Sequence, residues 1–258
     1  MSILKGAQNV TALFKNSRKL NSERWLVQVL ITAFGADPND IPFYYADDTG
    51  ISTQPDPNST MRNADHRIFH IVYRSTHAGL GGPSLDALIA QLITHLSAQI
   101  VRADHVGDQE WTTLPDIYGP FIRKMAFRAS VESLFGTHVF ELIPTFADDF
   151  WSFDGHMPNL FKEMPRWLVP ESYKARDKMK ANIKRWELSA AEHYDGPGGQ
   201  EEEREWEEYF GSKLMRTRHE FFEKMTLGKD SVSAENLGLL WAYGSPLPAI
   251  PPAMRYPN

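Results

Sequence analysis

The sequence predicts a mainly α-helical protein with little sheet. Apolar residues recur at helical spacing through most of its 258 residues, and capping and helix-ending residues stand at the ends of those stretches. Runs alternating with a period of two are almost absent. The composition, 42% hydrophobic and 23% charged, is that of a globular chain rather than a disordered one. A formal net charge of −6 argues against nucleic acid as the main partner. The absence of cysteine excludes disulfides, zinc thiolates and thiol nucleophiles from these residues. The opening MSILKGAQNV lacks a signal-peptide core, and no apolar run reaches the length of a membrane span.

In chain order, Val10, Leu13 and Phe14 share one face of a first short helix. Ser22 caps a second, with Trp25, Leu26, Val29, Leu30, Ala33 and Phe34 as its stripe and Gly35 to end it. Residues 36–62 read as a long loop without regular structure, because ADPND, ADDTG and QPDPNST are turn chemistry around a PFYY anchor. Asn63 caps the next helix, with Ile68, Ile71, Val72 and Ser75 inward and His66, Arg67, His70 and Arg74 on the other side. Ser84 opens a helix with Leu85, Leu88, Ile89, Leu92, Leu96 and Ile100 at core spacing. LPD starts another that runs through Ile117, Phe121, Ile122, Met125 and Ala129 to Gly136.

HVFELIP is a connector with some strand character. Pro144 then sits in the first turn of a helix carrying Phe146, Phe150, Phe153 and Met157, which Pro158 breaks. Pro170 starts a long basic helix. Met179, Ile183, Trp186 and Ala190 form its apolar edge, while Lys174, Arg176, Lys178, Lys180, Lys184 and Arg185 are exposed. After a DGPGGQ linker, EEEREWEE begins a helix through Trp206, Tyr209, Phe210, Leu214, Phe222 and Met225. Ser233 caps the last helix, to Gly244, which is apolar all round and therefore belongs at the centre of a large protein. Five prolines follow it, so that residues 246–258 read as a divergent tail. The expected total is seven to nine helices.

Local motifs declare no active site. His66 and His70 form HRIFH, but the glutamate of HExxH and a third ligand are both missing, which disfavours a metal. The remaining readings are a polar helix face or an anion site in which His66, Arg67 and His70 hold carboxylates. Asp148, Asp149 and Asp154 resemble the Asp-rich magnesium motif of α-helical terpene cyclases, yet the third carboxylate points to a different face. The basic run from Lys174 to Arg185 reads as a solvated face, open to an acidic partner or a membrane headgroup surface. Spacing alone assembles no Ser–His–Asp constellation.

Several stretches in order resemble the fungal cytochrome P-450 sequences: ALFKNSRKL, NADHRIFHIVYRSTHAGLGGPSLDAL, LPDIYGPFIRKMAFRASVESLFG, DDFWSFDGHMPNLFKEMPRWLVP and AENLGLLWA. The branch is similar to prostacyclin synthase and the sterol 7- and 8-hydroxylases. The resemblance covers about Gly6 to Ala242 and implies residues 1–245 as a partial helical domain, from the N-terminal and central part of that fold and cut off in its long central helix. It makes His66, Arg67 and His70 vestigial haem-propionate contacts, with His-x-x-x-His where the family has Trp-x-x-x-Arg. It makes Leu240, Trp241 and Tyr243 substrate-pocket residues at the start of the central helix. Full-length relatives of this kind bind haem, take electrons from a reductase, oxidise a lipophilic small molecule of secondary metabolism and sit at the endoplasmic-reticulum membrane. The sequence has no cysteine to match the family's ligand, and the resemblance implies that the membrane anchor and the segment after the central helix, with the family's Glu-x-x-Arg pair, are absent. The expectation is therefore a truncated, cytoplasmic chain that binds no haem and has no monooxygenase activity. The alternative is a non-catalytic helical accessory protein on half of the fold. A fragment would expose an apolar face on its last helix, whereas an accessory protein would be closed.

Overall fold

The last predicted helix does occupy the middle of the molecule. In the computed structural model, which describes residues 5–15, 23–103, 111, 116–196 and 204–244, it runs over Lys229–Gly244 as α11. Ala234, Leu237 and Leu240 are fully buried in the main core, so the apolar face expected to be open on a fragment is covered as far as Leu240. The helix begins four residues before the predicted cap. Ser233 lies inside it and returns its hydroxyl to the carbonyl of Lys229 at 2.8 Å. Its first turns are polar and buried at Ser231, Ser233, Glu235 and Asn236, so it is not apolar all round.

Ahead of it, α1 (Ala7–Lys15) buries nothing. α2 (Glu23–Val29) passes into a π-helical turn at Leu30–Phe34, closed by Gly35 at φ 80°. Ala33 and Phe34 enter the core, whereas Trp25 and Leu26 of the predicted stripe remain exposed. The expected loop at 36–62 is partly regular: a 3₁₀ turn at Pro38–Asp40 leads into α3 (Ile41–Ala46), with Pro42 in the first turn, where its missing N–H has no helical partner to lose. Asn63 caps only a 3₁₀ turn, Ala64–His66, and α4 spans Ile68–Gly79.

α5 (Gly82–Val101) starts two residues before the predicted Ser84, with Pro83 in its first turn. Leu85, Leu88, Leu92, Leu96 and Ile100 are half-buried, and the helix packs mainly on α6 (Phe127–Phe135), while Ile89 faces solvent. The sequence expectation is that no apolar run reaches a membrane span. This twenty-residue helix, with an 18-residue stretch of mean hydropathy 1.2, is nevertheless long and apolar enough to cross one by length and composition alone. Of the LPD start of the next helix, Leu114 and Pro115 lie outside the described residues, and Asp116 accepts from the Gly119 N–H at 3.1 Å. A π-helical stretch, Tyr118–Ala126, leads directly into α6.

The HVFELIP connector is helical, α7 (His138–Leu142), not strand-like. α8 (Phe146–Phe161) buries Phe146, Phe150, Phe153 and Met157 as the spacing predicts, but Pro158 sits inside it rather than breaking it. A proline removes one i→i−4 bond, and the turn beyond it is held by Leu160, fully buried in the main core. α9 (Pro170–Ala191) presents Met179, Ile183, Trp186 and Ala190 to the core.

The acidic segment does not open a helix. Trp206–Glu207 (β1) and Gly211–Ser212 (β2) form a two-stranded antiparallel sheet, and α10 starts only at Lys213 and runs to Lys224. The hairpin is pressed against the end of α6. A Cβ on Gly136 would lie 2.1 Å from the backbone oxygen of Glu208, and one on Gly211 would lie 2.3 Å from the Gly136 nitrogen. Both glycines also hold positive φ, so the two backbones meet only because neither carries a side chain. Among the described residues there are eleven α-helices instead of seven to nine, the surplus being short pieces such as α3 and α7. The predicted tail, residues 246–258, lies outside the described residues.

Candidate functional site

The sequence places Arg67 and His70 away from the core, free to meet an anion. In the structure both are buried, at 9% and 8% exposure. Arg67 donates from Nη2 to the Ser52 carbonyl at 2.7 Å, from Nη1 to the Thr53 carbonyl at 3.0 Å and from Nε to Thr49 Oγ1 at 3.0 Å. His70 Nδ1 is 2.8 Å from the Ile51 carbonyl, so that nitrogen carries the proton. His66 stands apart from this group, half-buried against the Phe43 ring. Only two of the three predicted residues therefore act together, and what they hold is backbone.

The segment they hold is braced from its other side. Asp47 Oδ1 accepts from Thr49 Oγ1 at 2.6 Å, and Asp47 Oδ2 accepts from the Phe69 N–H, in the first turn of α4, at 3.1 Å. Asp48 accepts from Ser59 Oγ at 2.5 Å, from Thr60 N at 2.7 Å and from Thr60 Oγ1 at 2.8 Å. These bonds, that from Ser59 first, hold its pKa well below the usual carboxylate range. Turn residues around Asp47 and Asp48 predict a loop, and the structure shows a loop sewn to the α4 start.

The predicted pocket residues of α11 do not converge on an opening. Leu240 is sealed in the core. Trp241 lies between Phe34 and Phe161 and donates its indole N–H to Asp154 Oδ1 at 2.9 Å. The Tyr243 side chain lies outside the described residues. Burial raises the Asp154 pKa, and the Trp241 bond opposes that rise. Asp149, its partner in the Asp-rich segment, is taken up by Lys178 at 2.6 Å, Asn182 and Thr145. Burial alone would raise the Asp149 pKa, but these bonds overcome it and hold the carboxyl below its ordinary value. The two carboxylates thus serve separate partners, and no group of three potential metal ligands occurs among the described residues.

α9 differs most from its reading as a solvated basic face. Arg176 Nη1 donates to the carbonyls of Ile31 and Thr32, and Lys180 Nζ to that of Gly35, so both answer carbonyls left open at the end of the π-helical turn. Lys180 and Lys184 also bridge Asp230 of α11 at 3.1 and 2.7 Å. Sequence reasoning missed these roles because their partners are remote in sequence.

One further constellation was invisible to spacing. His138 Nε2 lies 3.0 Å from Ser189 Oγ, and His138 Nδ1 lies 3.6 Å from Glu141 Oε2. The order is that of a hydrolytic triad, but the His–Glu separation exceeds a hydrogen bond and Glu141 is 76% exposed. Ser189 lies inside α9, where the backbone N–H groups are spent on the helix and none is left to stabilise an oxyanion. The arrangement ties α7 to α9.

A helical assembly built around one polar-then-apolar central helix is what the fold defines. The proteins it is similar to are fungal cytochrome P450 monooxygenases. The chain is 34% identical over 180 residues to cytochrome P450 monooxygenase fsoE of Humicola fuscoatra, covering 69% of this chain and 31% of that protein. It is 29% identical over 242 residues to efuG of Hormonema carpetanum, covering 93% and 40%. It is 22% identical over 222 residues to calL of Penicillium decumbens, covering 86% and 41%. The chain thus spans about a third to two fifths of the length of these relatives. No protein-family profile matches it, and no solved structure does.

The relatives imply haem, and the residues of this chain do not fit it. The 258 residues include no cysteine to supply a thiolate. Two of the three donors assigned to the propionates, Arg67 and His70, are engaged by the carbonyls of Ser52, Thr53 and Ile51.

Proposed function

We propose that this chain is a cytochrome P450-like helical assembly that, as 258 residues on its own, carries no haem-thiolate monooxygenase chemistry. The observation that carries the reading is the 34% identity over 180 residues to a named P450 monooxygenase in a chain with no cysteine. In a protein holding the rest of the relatives' length, the same helices would frame the oxidation of a lipophilic small molecule, with haem and a reductase as cofactor and partner and the endoplasmic-reticulum membrane as its location. The branch related to prostacyclin synthase and the sterol hydroxylases rests on the DDFWSFD-to-PRWLVP and LGLLWA stretches.

A second reading is favoured by one observation. The apolar face of α11 is covered through Leu240 by α9, α6 and the Leu30–Phe34 turn. A closed core supports a self-standing, non-catalytic accessory role for the chain by itself.

The test of the first reading is turnover. The purified chain, incubated with haemin, a P450 reductase, NADPH and a set of lipophilic probes, is expected to give no reductase-dependent product. Oxidised product that requires both the chain and the reductase would overturn it. Sedimentation tests the second: a single discrete species supports it, and heterogeneous aggregation under native buffer contradicts it.

A further inference from the structure

We infer that Arg67, His70 and Asp47 form a clasp whose ligand is the chain's own segment 49–53, so that the site read as an anion pocket is closed on backbone. The geometry is specific. Three consecutive carbonyls, those of Ile51, Ser52 and Thr53, converge on the imidazole and the guanidinium at 2.7–3.0 Å. This is the acceptor set a carboxylate would otherwise provide to a guanidinium fork. Thr49 links the two halves: its hydroxyl accepts from Arg67 Nε and donates to Asp47 Oδ1, which also takes the Thr49 N–H at 3.1 Å.

Burial sets the strength of the closure. Asp47 and Thr49 are 3% and 2% exposed, whereas residues 51–58 are exposed. The clasp therefore grips the inner limb of a loop whose tip stands in solvent. An Arg67 stripped of these carbonyls would be a buried cation short of acceptors, so the segment is the favoured ligand. A carboxylate-bearing molecule reaches Arg67 and His70 only by displacing three carbonyls at once. The clasp involves residues 47–70 alone and stands or falls separately from the absence of thiolate chemistry.

Hydrogen exchange read by mass spectrometry tests it. In the unmodified chain the amides of Thr49, Asp56, Asn58, Ser59, Thr60 and Met61, all hydrogen-bonded, should be protected. Arg67→Met should speed exchange over 47–61 by about tenfold or more while α8 and α9 keep their protection. Unchanged exchange over 47–61 in that variant would overturn the inference. If Arg67→Met loses protection everywhere, Thr49→Val decides: a selective loss of about threefold or more over 47–61 supports the clasp, and no change refutes it. Haemin added to the unmodified chain as a dicarboxylate probe should leave 47–61 protected. Its selective deprotection by haemin would show that the donors prefer an anion, and would equally overturn the inference.

Discussion

Arg218 and Glu235 show at the scale of single residues how much charge this core holds. Arg218 is 1% exposed and donates from Nε to Asn236 Oδ1 at 2.9 Å, with Nη2 3.9 Å from Glu235 Oε2. Tyr44 of α3 donates its hydroxyl to Glu235 Oε1 at 3.2 Å. Burial raises the Glu235 pKa, while Arg218 and Tyr44 pull it down. A raised carboxyl pKa means the folded state holds the proton more tightly than the unfolded one. This group's stability contribution is therefore full below its ordinary value of 4.5 and is lost as pH rises through the folded value. Glu235→Gln should remove that loss, so its urea-derived stability relative to the unmodified chain improves as pH rises. Arg218→Met leaves the acid without its cation. It should cost about 3–5 kcal/mol at pH 7 and steepen the pH dependence. Equal pH slopes for all three proteins would refute the arrangement.

At the scale of elements, α9 works as a clamp. Its basic residues close the π-helical turn after α2 and bind Asp149 of α8 and Asp230 of α11. Hydrogen bonds from Lys184 and Lys180 lower the Asp230 pKa, so its contribution is present above the ordinary value of 3.8 and fades as pH falls through the folded value. With Asp230 and Lys184 each about two-fifths exposed, Asp230→Asn should cost only about 0.5–1 kcal/mol at pH 7, and the difference should close in acid. The hairpin at the end of α6 gives a sharper case. Gly136→Ala meets immovable backbone at positive φ and should cost about 2–4 kcal/mol. Gly155→Ala, exposed inside α8 with open space where its Cβ would lie, should instead stabilise by up to about 1 kcal/mol. Comparable melting shifts for the two would contradict the close backbone approach at Gly136.

These elements also show what was readable in advance. The phenylalanine spacing of α8 and the apolar edge of α9 were legible because each encodes its own buried face. The hairpin was not, because it depends on Gly136 and Gly211 meeting across about 75 residues, and acidic EEEREWEE locally favours a helix start. Pro158 misled for the opposite reason: a local rule was overruled by packing. At the candidate site, HRIFH singled out the donors, but which way Arg67 and His70 point depends on loop carbonyls that sequence cannot orient.

At the scale of the molecule, α11 organises the rest, as its apolar residues foretold. It runs between α9, α6 and the Leu30–Phe34 turn, and the Phe34 ring packs over it at Gly238, where an added Cβ would still make ordinary contact. The chain is similar to fungal cytochrome P450 monooxygenases, and the proposal that it carries no thiolate chemistry rests on the absence of cysteine from its 258 residues. A haem taken up by exposed apolar side chains such as Trp167 or Trp25 would be bound without a thiolate. The most direct measurement is the carbon monoxide difference spectrum of the purified 258-residue chain, loaded with haemin and reduced. No thiolate-type band is expected at any haem loading; such a band at one equivalent of haem would contradict the absence of thiolate chemistry.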